Sequence, residues 1–216
     1  MNASLWDISL LEFCQRTASS DPTPGGGSVT IVSGALGLSL VIMALEITLK
    51  KTNDQELKKS VQKLLDESRG LLSNLRNHAD EDIVVFNSYM AAIRLTKQTN
   101  VEKAARKKAI GEAVELATQV PLKASQDTLD AIKISAKAAA VVADNVVSDV
   151  GAGAVMLGAA LNGVLLNVDI NLPHIADIPF AKKLAQQRKE LEIAATEEVV
   201  RIQQFVRERL SAQYRG

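Results

Sequence analysis

Cysteine is nearly absent from this chain. The single one, Cys14, rules out an internal disulfide framework and suits a reducing compartment, so a cytoplasmic location is expected. It lies in an apolar helical stretch, which predicts a buried, unreactive thiol. Two histidines beside one cysteine leave no cluster with metal-ligand spacing, so no metal site is expected. Aromatics make up only 3% of residues against 47% apolar, so Ala, Val, Leu and Ile must do the packing. That mixture suits close helix–helix contact better than a β-sandwich. Five prolines interrupt the chain little. Net charge is also missing: 25 basic residues balance 25 acidic ones, which leaves no overall field to draw the molecule to nucleic acid. No basic segment followed by an apolar run opens the chain, so no secretory signal is expected. The glycine run has no following Gly-Lys-Ser/Thr and nothing resembles a nucleophile elbow, which argues against a nucleotide P-loop and a serine hydrolase.

Residues 22–45 and 150–168 carry no charge at all, and each approaches the length of a membrane span. Both are rich in Gly, Ala and Ser, the second contains Asn162 and Asn167, and neither has an aromatic belt. Buried helices at the centre of a soluble helical protein are therefore expected, with no membrane partner. Ser33, Gly37, Gly153, Ala154 and Gly158 would let helices approach closely, and a symmetric homodimer is the expected assembly.

The spacing predicts a first helix from about Ser4 to Ser19, stopped by Asp21-Pro22-Thr23-Pro24. The uncharged helix then runs to Lys50-Lys51, and Asn53 or Asp54 caps the next. That next helix is the most legible, with a stripe of Leu57, Val61, Leu64, Ser68, Leu71, Leu75, His78, Asp82, Val85, Tyr89 and Ile93. Thr99 or Asn100 caps a fourth helix over Glu102–Gln119. Pro121 ends or kinks it, and a fifth runs to about Ala143. Asn145–Ser148 caps the second uncharged helix, and Asn171, Pro173, Asp177 and Pro179 mark a loop. The last helix shows Leu184, Leu191, Ala195, Val199, Ile202, Val206 and Leu210. With no linker, repeat or low-complexity tract, residues 1–216 form one domain: an all-α, multi-helix bundle with long helices.

Three places can carry chemistry. Pro24-Gly25-Gly26-Gly27-Ser28 opens a helix whose first-turn N–H groups would face an anion, or it is a turn that lets helices pack. Asp82 lies on a buried stripe, where an unpaired carboxylate is costly. It is either paired, with His78 one turn away, or held for chemistry. His78 itself reads more readily as a hydrogen-bonded core histidine than as a base. Asp149 is either a first-turn acid that satisfies helix donors or a carboxylate buried for use.

These blocks, taken in order, resemble one family. The carriers are Pro24 to Ser28 opening an Ala/Gly-rich helix, and Asp82 followed by Phe86 and Met90-Ala91-Ala92. Asn145 to Gly151 follows, then Leu166-Asn167-Val168 and Ile170-Asn171. Together they look like the formimidoyltetrahydrofolate cyclodeaminase/methenyltetrahydrofolate cyclohydrolase family, and the resemblance covers nearly the whole chain. Glu46-Ile47-Thr48 stands where that family usually has Asn-Leu-Thr followed by Gly.

The resemblance implies an all-helical subunit that dimerises around a folate cleft. It implies hydrolysis of 5,10-methenyltetrahydrofolate to the 10-formyl compound, or cyclisation of 5-formimidoyltetrahydrofolate with loss of ammonia. On it, Asp82 and Asp149 would handle protons. Gly25, Gly26, Gly27, Ser28, Lys50, Lys51, Asn145 and Ser148 would bind substrate, with Lys50, Lys51 and the glycine helix entrance meeting the glutamate tail. No cofactor is implied beyond the tetrahydrofolate substrate itself. The competing reading is a helical dimer that binds folate or a protein without turning either over.

Overall fold

The computed structural model describes residues 4–213, and among them every regular element is helical, with no strand. A 3-10 turn at Leu5–Asp7 leads to the short α1 (Leu10–Thr17). The long helices follow: α2 (Gly26–Lys51), α3 (Gln55–Arg94), α4 (Asn100–Val141), α5 (Val147–Asn171) and α6 (Ile178–Gln213). A 3-10 turn at Asp144–Val146 precedes α5, and another at Leu172–His174 follows it.

Local chemistry explains most of these boundaries. Asp54 caps α3 by accepting from the N–H groups of Glu56 and Leu57 at 2.9 and 3.2 Å. Thr99 and Glu102 close a reciprocal capping box on α4: Glu102 N–H donates to the Thr99 hydroxyl at 3.2 Å, and Thr99 N–H to the Glu102 carboxylate at 2.9 Å. Asp177 accepts from Phe180 N–H at 3.0 Å and starts α6.

Four local expectations change. The first helix is broken, because Ser9 caps a new start by accepting from Glu12 N–H at 3.1 Å. Pro121 does not end its helix. It lies buried inside α4, where packing on both sides outweighs the single lost hydrogen bond. Asn145–Ser148 do not cap α5, whose start is fed by the preceding 3-10 turn with no side-chain cap. Cys14 is exposed rather than buried, because α1 hides none of its residues.

The two uncharged helices form the centre of the bundle and run antiparallel against each other. Thr30 meets Gly163, Gly34 meets Ala160, and Gly37 meets Gly153. A Cβ built on Gly153 would fall 2.5 Å from the Gly37 carbonyl oxygen, and one on Gly37 would fall 2.8 Å from that of Gly153. Only glycine permits this approach. On α5, Gly158 likewise faces Val199 of α6, where a Cβ would come within 2.8 Å. Gly37, Gly153 and Gly158, expected to serve self-association, thus serve the subunit's own core. Both uncharged helices are long and apolar enough to cross a membrane, and half of each apolar stretch is buried inside the chain. Around this pair, α3 and α6 supply amphipathic walls and α4 bridges them. Arg209 on α6 locks the end of α4, donating to the carbonyls of Ala139 and Val142 at 2.7 and 3.0 Å and pairing with Asp144. Arg188 forks onto Asp169 at 2.8 Å through both contacts, tying α6 to the end of α5.

Candidate active site

The stripe of α3 is apolar and buried at Val61, Leu64, Leu65 and Leu75, then turns polar as it reaches the start of α2. There Asp82 meets Ser28. The Asp82 carboxylate accepts from the Ser28 backbone N–H at 2.9 Å and from its hydroxyl at 2.7 Å, both on Oδ2. Gly25, the residue before α2, has no side chain to cap the helix, so the carboxylate from α3 does it. Gly27 makes this possible. A Cβ there would lie 2.4 Å from Asp82 Oδ1 and 2.7 Å from its Cγ. Of the three glycines only Gly27 is required by the acid: a Cβ on Gly26 would meet nothing within 4 Å, and one on Gly25 only the Pro22 carbonyl oxygen at 3.3 Å.

Burial raises the Asp82 pKa above its ordinary value of 3.8, and the two Ser28 hydrogen bonds only partly offset that. A carboxyl group so held sits closer to the point where it can both take and give a proton. It faces a cleft of about 410 Å³. Pro22, Thr23 and Gly25–Gly27 form one rim, and Val85, Phe86 and Tyr89 of α3 form an aromatic wall. Ala117, Val120 and Pro121 of α4 close the floor, while Asn167, Ile170, Asn171 and His174 bring amides and an imidazole from the end of α5. The volume and the mixture of apolar walls with a few polar groups suit a small organic ligand.

His78 does not pair with Asp82. Its Nε2 lies 2.9 Å from Asp127 Oδ2 on α4 and its Nδ1 3.4 Å from Glu81 Oε2, so the ring ties two helices together. The remaining expected residues gather elsewhere. Lys51 Nζ lies 3.4 Å from Asn145 Oδ1, and Lys50, Ser148 and Asp149 share that end of the bundle, formed by the last turn of α2 and the first of α5. Asn167 belongs to the Asp82 cleft, and Asp149 precedes it on the same helix by about 27 Å at 1.5 Å per residue. Asp82 and Asp149 therefore do not form a pair within one subunit. The antiparallel packing of α2 on α5 sends them to opposite ends. Glu46 is held in an ion pair by Arg69 of α3.

Phe86, Tyr89, Asn167, Asn171 and His174 complete the cleft but carried no assigned role in the sequence reading. One signal for two of them was present. Asn167 and Asn171 stand one turn apart on the same face at the end of a mostly apolar helix, where a buried or half-buried amide calls for a polar partner.

The half-buried Asp82 at the start of α2 faces an amide- and aromatic-lined cleft, an arrangement that suits the class of proteins that bind a small molecule and move a proton on it. Comparison with known proteins sharpens that class. The formiminotransferase-cyclodeaminase family profile matches residues 9–190. A methenyltetrahydrofolate cyclohydrolase from Methylorubrum extorquens is 36% identical over 183 residues, covering 83% of this chain and 85% of that one. A formimidoyltransferase-cyclodeaminase from Rattus norvegicus is 29% identical over 180 residues, and the match spans 33% of its length. The crystal structure of formiminotetrahydrofolate cyclodeaminase from Thermotoga maritima superposes with a TM-score of 0.83 at 26% identity, covering 94% of this chain and 98% of that one. The chain belongs to the formiminotransferase-cyclodeaminase family.

Proposed function

We propose that the protein hydrolyses 5,10-methenyltetrahydrofolate to 10-formyltetrahydrofolate, with Asp82 as its proton-handling group. The observation that carries this reading is the Asp82 carboxyl, raised in pKa by burial and held by Ser28 at the mouth of the cleft. The cyclohydrolase relative, matched along most of its own length, supports this choice of reaction.

The substrate carries a positive charge spread over N5, N10 and the bridging carbon, and the ionised Asp82 offsets that charge as it binds. Asp82 then takes a proton from the water that attacks the bridging carbon, forming a new C–O bond. The same proton goes to N5 as the C–N5 bond breaks. Loss of the hydroxyl proton leaves the formyl group on N10, so one water is consumed and one proton released. An acid with a raised pKa can run both transfers near neutral pH. Phe86 and Tyr89 offer apolar surface to the pteridine ring, and exclusion of bulk water by these walls strengthens the charge pairing.

The cyclodeaminase reaction is the second reading, favoured by the solved structure that shares this fold. There N10 attacks the formimidoyl carbon and Asp82 protonates the departing ammonia. An absorbance assay of methenyltetrahydrofolate loss, run beside an ammonia assay with 5-formimidoyltetrahydrofolate, decides between them. Neither activity in the purified protein would refute both readings and favour a folate- or protein-binding dimer.

The proposal extends to assembly. Leu36, Met43 and Val155 expose apolar surface on the outer sides of α2 and α5, and a two-fold dimer would cover it. Turned end for end, such a dimer sets Lys50, Lys51, Asn145, Ser148 and Asp149 of one subunit beside the other's Asp82 cleft. The lysines would then meet the glutamate tail and Asp149 would join the chemistry. The reaction needs no cofactor beyond its folate substrate, and a cytoplasmic enzyme of one-carbon metabolism follows from the same reading.

A further inference from the structure

Pro121 and Asn171 belong to different helices, yet they meet at one carbonyl. In an unbroken α4 the Ala117 carbonyl would accept from the amide of residue 121, but proline has no N–H to donate. Asn171 takes its place. Its Nδ2 donates to the Ala117 oxygen at 2.9 Å and to the Asn167 oxygen at 2.8 Å. Both amide hydrogens are thereby engaged. Because both acceptors are carbonyl oxygens, the flipped carboxamide would set oxygen against oxygen, so the orientation is determined. Oδ1 is left as the one polar atom of the side chain with no hydrogen-bond partner among the described residues. Ala117, Pro121 and Asn171 all line the cleft that Asp82 faces.

From this geometry we propose that Asn171 is a substrate-binding residue whose Oδ1 is a fixed acceptor for a ring N–H of the reduced pteridine. Pro121 is the positioning residue that holds it there. The inference rests on the folate reading above and deepens it. A reduced pteridine presents N–H donors along its pyrimidine edge and at N8, and a neutral acceptor recognises them without adding charge beside Asp82. An asparagine free to rotate would offer donor and acceptor alike. One with both hydrogens engaged offers only the acceptor, which is preorganisation against ligands with acceptor edges. The proline inside a long helix then has a purpose. It frees the carbonyl that sets the amide.

A double-mutant cycle tests this in the full-length protein, with KM for methenyltetrahydrofolate and direct binding of 5-formyltetrahydrofolate as readouts. Asn171→Ala should raise KM and weaken binding about tenfold, the scale of one net hydrogen bond. Pro121→Ala restores an N–H that draws the Ala117 carbonyl back into α4. It should shift both quantities the same way, by about threefold, on the same scale. The double variant should match Asn171→Ala alone, because Pro121 acts only through that amide. If Asn171→Ala fails to fold, Asn171→Ser, which keeps a donor for one carbonyl, should show the same direction. Additive effects of the two substitutions, or lost thermal stability with unmoved KM and binding, would assign the pair to holding α5 on α4 and overturn the proposal. A wild-type protein that neither binds nor turns over reduced folate would remove the folate reading itself. A wild type that does both, beside variants that bind normally, would remove only this inference.

Discussion

Replacing Gly27 with alanine asks the largest question with the smallest atom. A helix-interior Gly→Ala ordinarily stabilises by about 1 kcal/mol, because alanine loses less backbone entropy. Gly70 on α3 is such a position, exposed and with nothing within 4 Å of a built Cβ. Gly70→Ala should therefore raise the melting temperature by about 2–4 °C for a chain of this size. At Gly27 the new methyl would lie 2.4, 2.7 and 2.8 Å from the three terminal atoms of Asp82. Carboxylate and helix start must separate, so overpacking and weakened Ser28 hydrogen bonds outweigh the helix gain. A net loss of about 2 kcal/mol follows, or about 4–8 °C. The moved carboxylate also leaves the position from which we propose it transfers protons, so turnover per folded molecule should drop by about a hundredfold, the low end for losing an acid–base group. Calorimetry and the absorbance assay on both variants read this directly. A Gly27→Ala protein as stable and as active as Gly70→Ala would refute the seat built from glycine.

Asp82→Asn should cut turnover by about 10²–10⁴-fold and weaken binding of the cationic methenyl substrate, while binding of 5-formyltetrahydrofolate, whose one-carbon group carries no positive charge, should be largely kept. The wild-type rate should fall on acidification through a pKa above the ordinary carboxylate value, and what activity remains in Asp82→Asn should lack that limb. The sign for stability follows from the same raised pKa. Asp82's favourable contribution is fully present below 3.8 and is lost as pH rises through its folded value, so chemical denaturation across that window should show this loss in wild type but not in Asp82→Asn. If Asp149 works on a partner's cleft, Asp82→Asn and Asp149→Asn proteins should each be inactive, yet mixing and refolding them should restore about a quarter of wild-type activity, the statistics of a two-fold dimer. An Asp149→Asn protein as active as wild type would confine the chemistry to Asp82, and two inactive variants that show no recovery on mixing would refute a shared cleft. His78→Gln should lower stability by about 1–2 kcal/mol through loss of the Asp127 contact, with turnover per folded molecule nearly unchanged. A rate loss as large as that of Asp82→Asn would give His78 a role its contacts do not.

Much of this protein was determined along the chain alone. Periodicity marked the α3 stripe from Leu57 to Ile93, capping chemistry narrowed two helix starts to Asn53 or Asp54 and Thr99 or Asn100, and the absence of charge marked α2 and α5 as the centre. These are readings of short-range physics, in which a helix face repeats every three to four residues and a cap acts within one turn. Asp82 stood out for the same reason, as a carboxylate on a face otherwise spent on burial. Its partner did not. His78 was the nearer candidate in sequence, but the carboxylate turns instead to Ser28, which only the packing of α3 across α2 brings to it. Pro121 read as a stop or a kink because proline's local effect is to remove a donor. Buried contact on both sides carries α4 through it, and Asn171, from another helix, takes the freed carbonyl. The separation of Asp149 from Asp82 is likewise tertiary. Blocks that follow one another in order along a sequence say nothing of which ends meet, and the antiparallel contact of Gly37 with Gly153 sends the two acids apart.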